Sequence, residues 1–91
     1  MNEASTVAGE SLEDLRAQID RCDLEIARAF ARRFFLSGQA QDLKDAAGKP
    51  IKDNERERAI LAFYERAGTD NCPAPSLGDL AQKILNLCKS A

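Results

Sequence analysis

From Ser11 onward, apolar residues recur at alternating three- and four-residue intervals: Leu12, Leu15, Ile19, Cys22, Ile26, Ala29, Leu36, Ala40 and Leu43. Arg33 is the one charged residue in the series. This period is the seam of a long helix that packs lengthwise on other helices. Ser11-Leu12-Glu13-Asp14 predicts its start, with a hydroxyl and a carboxylate placed for a capping box and acid in the first turn. No proline interrupts residues 11–44. Gly38 is the weak point, costing about 1 kcal/mol relative to alanine, and it allows a bend. Asp45 to Pro50, with glycine and proline close together, predicts the turn that ends the helix.

A second helix is predicted to start at Asp53 or Asn54. Asn54 and Glu57 have capping-box spacing, and Asp53 is an equally good cap. Its apolar face is Ile60, Phe63, Tyr64 and Ala67, and Gly68 ends it. Residues 69–75, with two prolines, read as a loop. A third helix follows from a Ser76 cap, with Leu77, Leu80, Ala81, Ile84, Leu87 and Cys88 as its core face. Residues 1–10 are small, polar and without period, and read as a disordered leader. The expected architecture is therefore all-α: one long and two shorter helices in a single domain over residues 11–91.

Length sharpens this picture. The first helix, at ~1.5 Å per residue, is about 50 Å long. A compact chain of this size has a radius of gyration of about 12 Å. Two shorter helices cannot cover so long a seam, so an intertwined helical homodimer is expected. The chain has 91 residues, 44% hydrophobic and 31% charged, the balance of an ordinary globular protein. Its net charge of -2 argues against a nucleic-acid partner. No apolar run reaches the ~20 residues that span a bilayer, and the N-terminus lacks the regions of a secretory signal. Cys22, Cys72 and Cys88 are odd in number and widely spaced, which suits free thiols in a reducing, cytoplasmic setting. Histidine is absent. That removes His-dependent triads, His-ligated zinc and imidazole switches, and nothing in the sequence calls for a metal or organic cofactor.

The chemistry concentrates around Arg33. An arginine in an apolar seam either snorkels out, pairs with a carboxylate such as Glu57, or faces a ligand. Lys44 lies three helical turns on and returns to nearly the same face. Ser37, Ala40 and Gln41 stand between them, small or polar. Two inward cations separated by such residues describe a slot for an anion, although a lysine there also complements the helix dipole. Residues 53–58 form either a solvated, capped helix start or a polar wall. Arg16 flanks the seam. Cys88 reads first as a small core residue, with no histidine available to activate it. The Tyr64 hydroxyl is expected at the surface.

Four segments in register then carry a resemblance. Leu15-Arg16-x-x-Ile19-Asp20-x-x-Asp23, Arg32-Arg33, Lys44, and Pro50-Ile51-Lys52-Asp53-x-x-Arg56-Glu57-Arg58 are similar in order and spacing to the all-α chorismate mutase family. The match covers about residues 11–68. It implies an intertwined homodimer of three-helix protomers that isomerises chorismate, a dianion, to prephenate in aromatic amino-acid synthesis. It also implies roles. An arginine like Arg16 reaches the partner protomer's site and binds a substrate carboxylate, and one like Arg33 binds the other. A lysine like Lys44 contacts the ether oxygen. Asp53, Arg56 and Glu57 surround the ring hydroxyl and support the carboxylate contacts.

The third helix departs from the family's pattern. Cys88 falls where many members carry a substrate-contacting serine, and the glutamine expected four residues later has no counterpart in the 91 residues. Three accounts of this departure follow: a weak enzyme, one completed by an activating partner protein, or one acting on a related substrate. The same scaffold serves isochorismate pyruvate lyases and aminodeoxychorismate mutases. A non-catalytic helical dimer with a regulatory or assembly role is the alternative from another class.

Overall fold

The computed structural model describes residues 11–50 and 52–88. It contains three helices: α1 (Leu12–Ala46), α2 (Asn54–Glu65) and α3 (Ala74–Cys88). The predicted leader, residues 1–10, lies outside the described residues.

Helix α1 starts where the capping pattern places it. The Ser11 hydroxyl accepts from the Asp14 N–H at 3.0 Å, and the Ser11 N–H donates to the Asp14 carboxylate at 3.2 Å. The helix runs unbroken through Gly38. Its end is a Schellman closure. The Gly48 N–H donates to the Asp45 carbonyl at 3.1 Å and the Lys49 N–H to the Lys44 carbonyl at 2.8 Å. Gly48 has φ 70°, a conformation that costs other residues roughly 1–2 kcal/mol.

Helix α2 uses Asp53 as its cap, not Asn54: the Asp53 carboxylate accepts from the Arg56 N–H at 3.0 Å. Asn54 is already the first helical residue, so the Asn54–Glu57 box does not form and a single Asp53 cap one residue earlier takes its place. Helix α3 begins two residues before the expected Ser76 cap. The Pro73 carbonyl accepts from the Ser76 and Leu77 N–H groups at 3.0 and 3.5 Å. Pro75 sits inside the first turn, where a missing N–H leaves no helical bond unmade.

Helix α3 packs on both α2 and α1, whereas no Cα of α1 comes within 8 Å of one in α2. The buried apolar core is small: Ile60, Ala81, Leu85 and Cys88. On α3 the buried stripe is therefore Ala81, Leu85 and Cys88. Leu80 and Leu87, expected in the core, are exposed. The sequence pattern offers two apolar stripes on this helix, and the structure buries the narrower one.

The α1 seam is uncovered. Leu12, Leu15, Ile19, Ile26, Leu36 and Leu43 are all exposed, with Leu43 at 73%. Ile26, Ala29 and Phe30 of α1 face Leu80, Ile84 and Leu87 of α3 across an open apolar groove of about 510 Å³. The molecule measures 58 × 23 × 15 Å, with a radius of gyration of 17.3 Å. It is far more extended than a compact chain of its length, for which ~12 Å is expected. The three-helix all-α architecture matches the expectation. A single chain does not itself exhibit the intertwined dimer.

Candidate active site

Arg33 is half-buried on α1, and its Nη1 donates to the hydroxyl of Ser37, one turn on, at 3.4 Å. Ser37 is the buried residue of α1. The bond is long for N–H···O and its acceptor is neutral. No carboxylate among the described residues pairs with Arg33, so the pairing with Glu57 does not form. Most of the guanidinium donors are left without a carboxylate partner among the described residues.

That charge faces a cleft of about 450 Å³ lined by Arg33, Arg56, Ala59, Ile60, Phe63, Tyr64 and Arg66. Three arginines and no acid line it. Arg56 comes from the first turn of α2, where the Asp53 cap holds its backbone. Ile60 follows one turn later on the same face and anchors α2 in the core. Arg66, beyond the end of α2, lies with its guanidinium 5.9 Å from the centroid of the Phe63 ring, within cation–π range. Such a cleft is electropositive and half apolar, and suits an organic anion.

Lys44 is half-buried in the last turn of α1, which the Schellman closure fixes. It lines a second cleft, of about 330 Å³, with Lys49, Pro50, Lys52, Asp53 and Asn54. Asp53 thus borders the Lys44 cleft while its carboxylate caps the helix that carries Arg56. A third cleft, of about 230 Å³, lies between α1 and α3 and is lined by Phe34, Ser37, Gly38, Gln41, Leu87 and Cys88. Cys88 is buried in its wall, while Cys22 and Cys72 are exposed and unpaired.

Of the residues singled out in the sequence, the structure brings Arg33 together with Arg56, and Lys44 together with Asp53. Cys88 joins the Ser37–Gln41 side of the same α1 face. Glu57 is half-buried on α2 but lines none of these three clefts. Arg16 is exposed and stands apart. It precedes Arg33 by seventeen residues of continuous helix, a separation of about 26 Å. Sequence reasoning missed Arg66, whose setting after α2 resembles any basic residue near a helix end. The Tyr64 side chain, whose hydroxyl is expected at the surface, is half-buried and helps line the arginine cleft.

Among the described residues, no helix is long and apolar enough to cross a membrane, and no group of three His, Cys, Asp or Glu side chains could hold a metal ion.

Comparison with known proteins gives consistent matches. The chain is 44% identical over 52 residues to the T-protein of Haemophilus influenzae, covering 57% of this chain and 14% of that protein. It is 33% identical over 85 residues to the bifunctional chorismate mutase/prephenate dehydratase of Aquifex aeolicus, covering 89% of this chain and 24% of that one. It is 37% identical over 57 residues to the chorismate mutase of Methanocaldococcus jannaschii, covering 63% and 54%. The chain thus spans from about a seventh to about half of the length of these relatives. No solved structure gives a match of comparable significance. The family model described as chorismate mutase type II matches residues 15–91, which take in α1 from its first turn, both shorter helices and every candidate site residue, and the chain belongs to that family.

Proposed function

We propose that this chain catalyses the rearrangement of chorismate to prephenate, acting as a homodimer in which each site takes Arg16 from the partner protomer. The observation that carries the reading is the uncompensated Arg33 guanidinium beside Arg56, in a cleft lined by no acid and on one helix face with Lys44. The names of the relatives, two of which are chorismate mutases, support the same substrate.

The reaction is a unimolecular pericyclic shift. It needs no nucleophile and no proton transfer, so a chain without histidine is not handicapped. Its requirements are conformational and electrostatic. The dianion must be held with its enolpyruvyl arm folded over the ring, and two separated arginines grip its two carboxylates in that shape. Arg33 serves one carboxylate, supported by Arg56. As the C–O bond breaks, negative charge grows on the ether oxygen. Lys44 beside that oxygen stabilises the transition state more than the ground state. Asp53 and Glu57 orient the ring hydroxyl.

The dimer is supported by the exposed α1 seam and the open groove beside α3. A second copy of α1 covers both. The ~26 Å between Arg16 and Arg33 on one rigid helix keeps Arg16 out of its own chain's site. The test is to follow loss of chorismate absorbance with purified protein, with and without added candidate partner proteins. Acceleration over the buffer rate with prephenate as product is the expected result. A rate equal to buffer under all conditions refutes the reading, and pyruvate release from isochorismate redirects it to the lyase chemistry of the same scaffold.

A further inference from the structure

The turn between α1 and α2 concentrates positive charge. Lys44, Lys49 and Lys52 fall within nine residues and line one cleft of about 330 Å³. The acid on that cleft is Asp53, whose carboxylate accepts from the Arg56 N–H as the cap of α2. Lys49 and Lys52 are exposed, and neither forms an ion pair with a described residue. The Lys49 N–H closes the end of α1 on the Lys44 carbonyl at 2.8 Å, so the backbone alone fixes where its side chain starts. No role assigned so far uses either side chain.

The whole chain, by contrast, carries a net charge of -2. At long range that field repels a dianion, and a homodimer doubles it. Within about one Debye length the local arrangement of charge decides instead. Three lysines at one mouth, beside the positive end of the α2 dipole, make this turn a local attractor on a negatively charged molecule. We propose that Lys49 and Lys52 are charge-steering residues, which draw the anionic substrate to the mouth that Lys44 lines and act on it through distance, not contact.

This inference rests on the rearrangement reading above and adds an entry route to it. For a dianion about 12 Å away, each lysine is worth roughly twofold in encounter at about 10 mM salt, where the Debye length is about 30 Å. The two together are then worth about fivefold. At about 0.5 M salt the Debye length falls to about 4 Å and the effect disappears. Such a field acts on free substrate reaching the site, not on the bonds that change within it. It therefore appears in kcat/KM and leaves kcat level.

The test compares wild type with Lys49→Gln/Lys52→Gln and Lys49→Glu/Lys52→Glu. The backbone bond at Lys49 is available to all three, and circular dichroism checks their helicity. Chorismate turnover is followed from about 10 mM to about 0.5 M salt, and the affinity for an oxabicyclic dicarboxylate mimic of the transition state is measured in parallel. Wild-type kcat/KM should fall as salt rises, despite the negative net charge. At low salt the Gln pair should lose about fivefold and the Glu pair about 25-fold, through KM, with mimic affinity in the same order. At high salt the three should agree within about twofold. Equal steps in the logarithm for equal steps in charge separate a field from a contact. A loss that persists at high salt, or that falls on kcat, makes these lysines contact or structural residues and overturns the proposal. So does a wild-type rate indifferent to salt, or a Gln pair that matches wild type at low salt. In each of those cases an active wild type leaves the rearrangement reading standing. A wild type that neither turns over chorismate nor binds the mimic removes both.

Discussion

Two inactive variants should restore each other when mixed. Take Arg16→Ala and Arg33→Ala as separate proteins. Arg16 and Arg33 sit on one unbroken helix, α1, about 26 Å apart, a span that an arginine side chain cannot bridge. If one substrate needs both, they come from different protomers. Each homodimer of a single variant then has two defective sites. In a mixed dimer, the site with an intact Arg33 receives an intact Arg16 from its partner, and the other site lacks both. Random reassortment of equal amounts makes half of the dimers mixed, each with one good site of two, so activity returns to about a quarter of wild type at equal total protein. The assay is chorismate consumption after co-refolding the two variants, or after incubating them long enough to exchange subunits. Loss of either carboxylate clamp costs about 2–5 kcal/mol of binding, so the unmixed backgrounds lie at least about thirtyfold below wild type and the recovered signal is unambiguous. A mixture that stays at background, although mixed dimers are shown to form, refutes the shared site. So does an Arg16→Ala protein with full activity.

Other consequences follow from single positions. Arg33→Ala should abolish turnover yet leave the melting temperature level or slightly higher: it gives up only a 3.4 Å bond to a neutral hydroxyl, relieves repulsion from Arg56 and Arg66, and introduces the best helix former. A fall of several degrees would mark Arg33 as structural. Two glycines should respond oppositely to alanine in thermal melts. At Gly68 the added Cβ meets backbone atoms, the Ala74 nitrogen at 2.9 Å and the Glu65 carbonyl at 3.1 Å, so the α2–α3 turn must open and stability falls by about 1–3 kcal/mol. At Gly78, inside α3, the nearest atom is the flexible Glu65 Oε2 at 2.9 Å, which can swing away, so the gain in helix propensity of up to about 1 kcal/mol prevails. Ile19→Glu places a charge on the exposed α1 seam; sedimentation should show dissociation of the dimer with loss of activity, while a monomer-sized wild type would remove the basis for it.

Legibility varied along the chain for physical reasons. The start of α1 was plain because Ser11 and Asp14 are local: a cap depends on four consecutive residues and little else. Asp53 and Asn54 are equivalent on local grounds, and the structure makes the cap from Asp53, whose carboxylate accepts from the Arg56 N–H. The start of α3 was misplaced because prolines at 73 and 75 read as loop, although proline disturbs a helix only beyond its first turn. Leu85 was missed for a different reason. Periodicity identifies apolar stripes, but it does not say which stripe meets the chain's own helices and which is left for another molecule. The cationic stripe from Arg33 to Lys44 was legible because a single helix carries it. Arg66 was not, since its place in the cleft depends on how α2 docks.

The arrangement of the three helices has one more consequence. Helix α3 is a strut that joins α1 and α2, which do not approach each other directly. Helix α3 makes two sides of the triangle, with a groove left open along α1, and the third side is an opening with Arg33 on one bank and Arg56 on the other. Left to themselves, those like charges push the banks apart. A dianion bound between them turns that repulsion into attraction and becomes the missing side of the triangle. On the proposed reading, the bound anion is a structural member of this fold as well as a reactant.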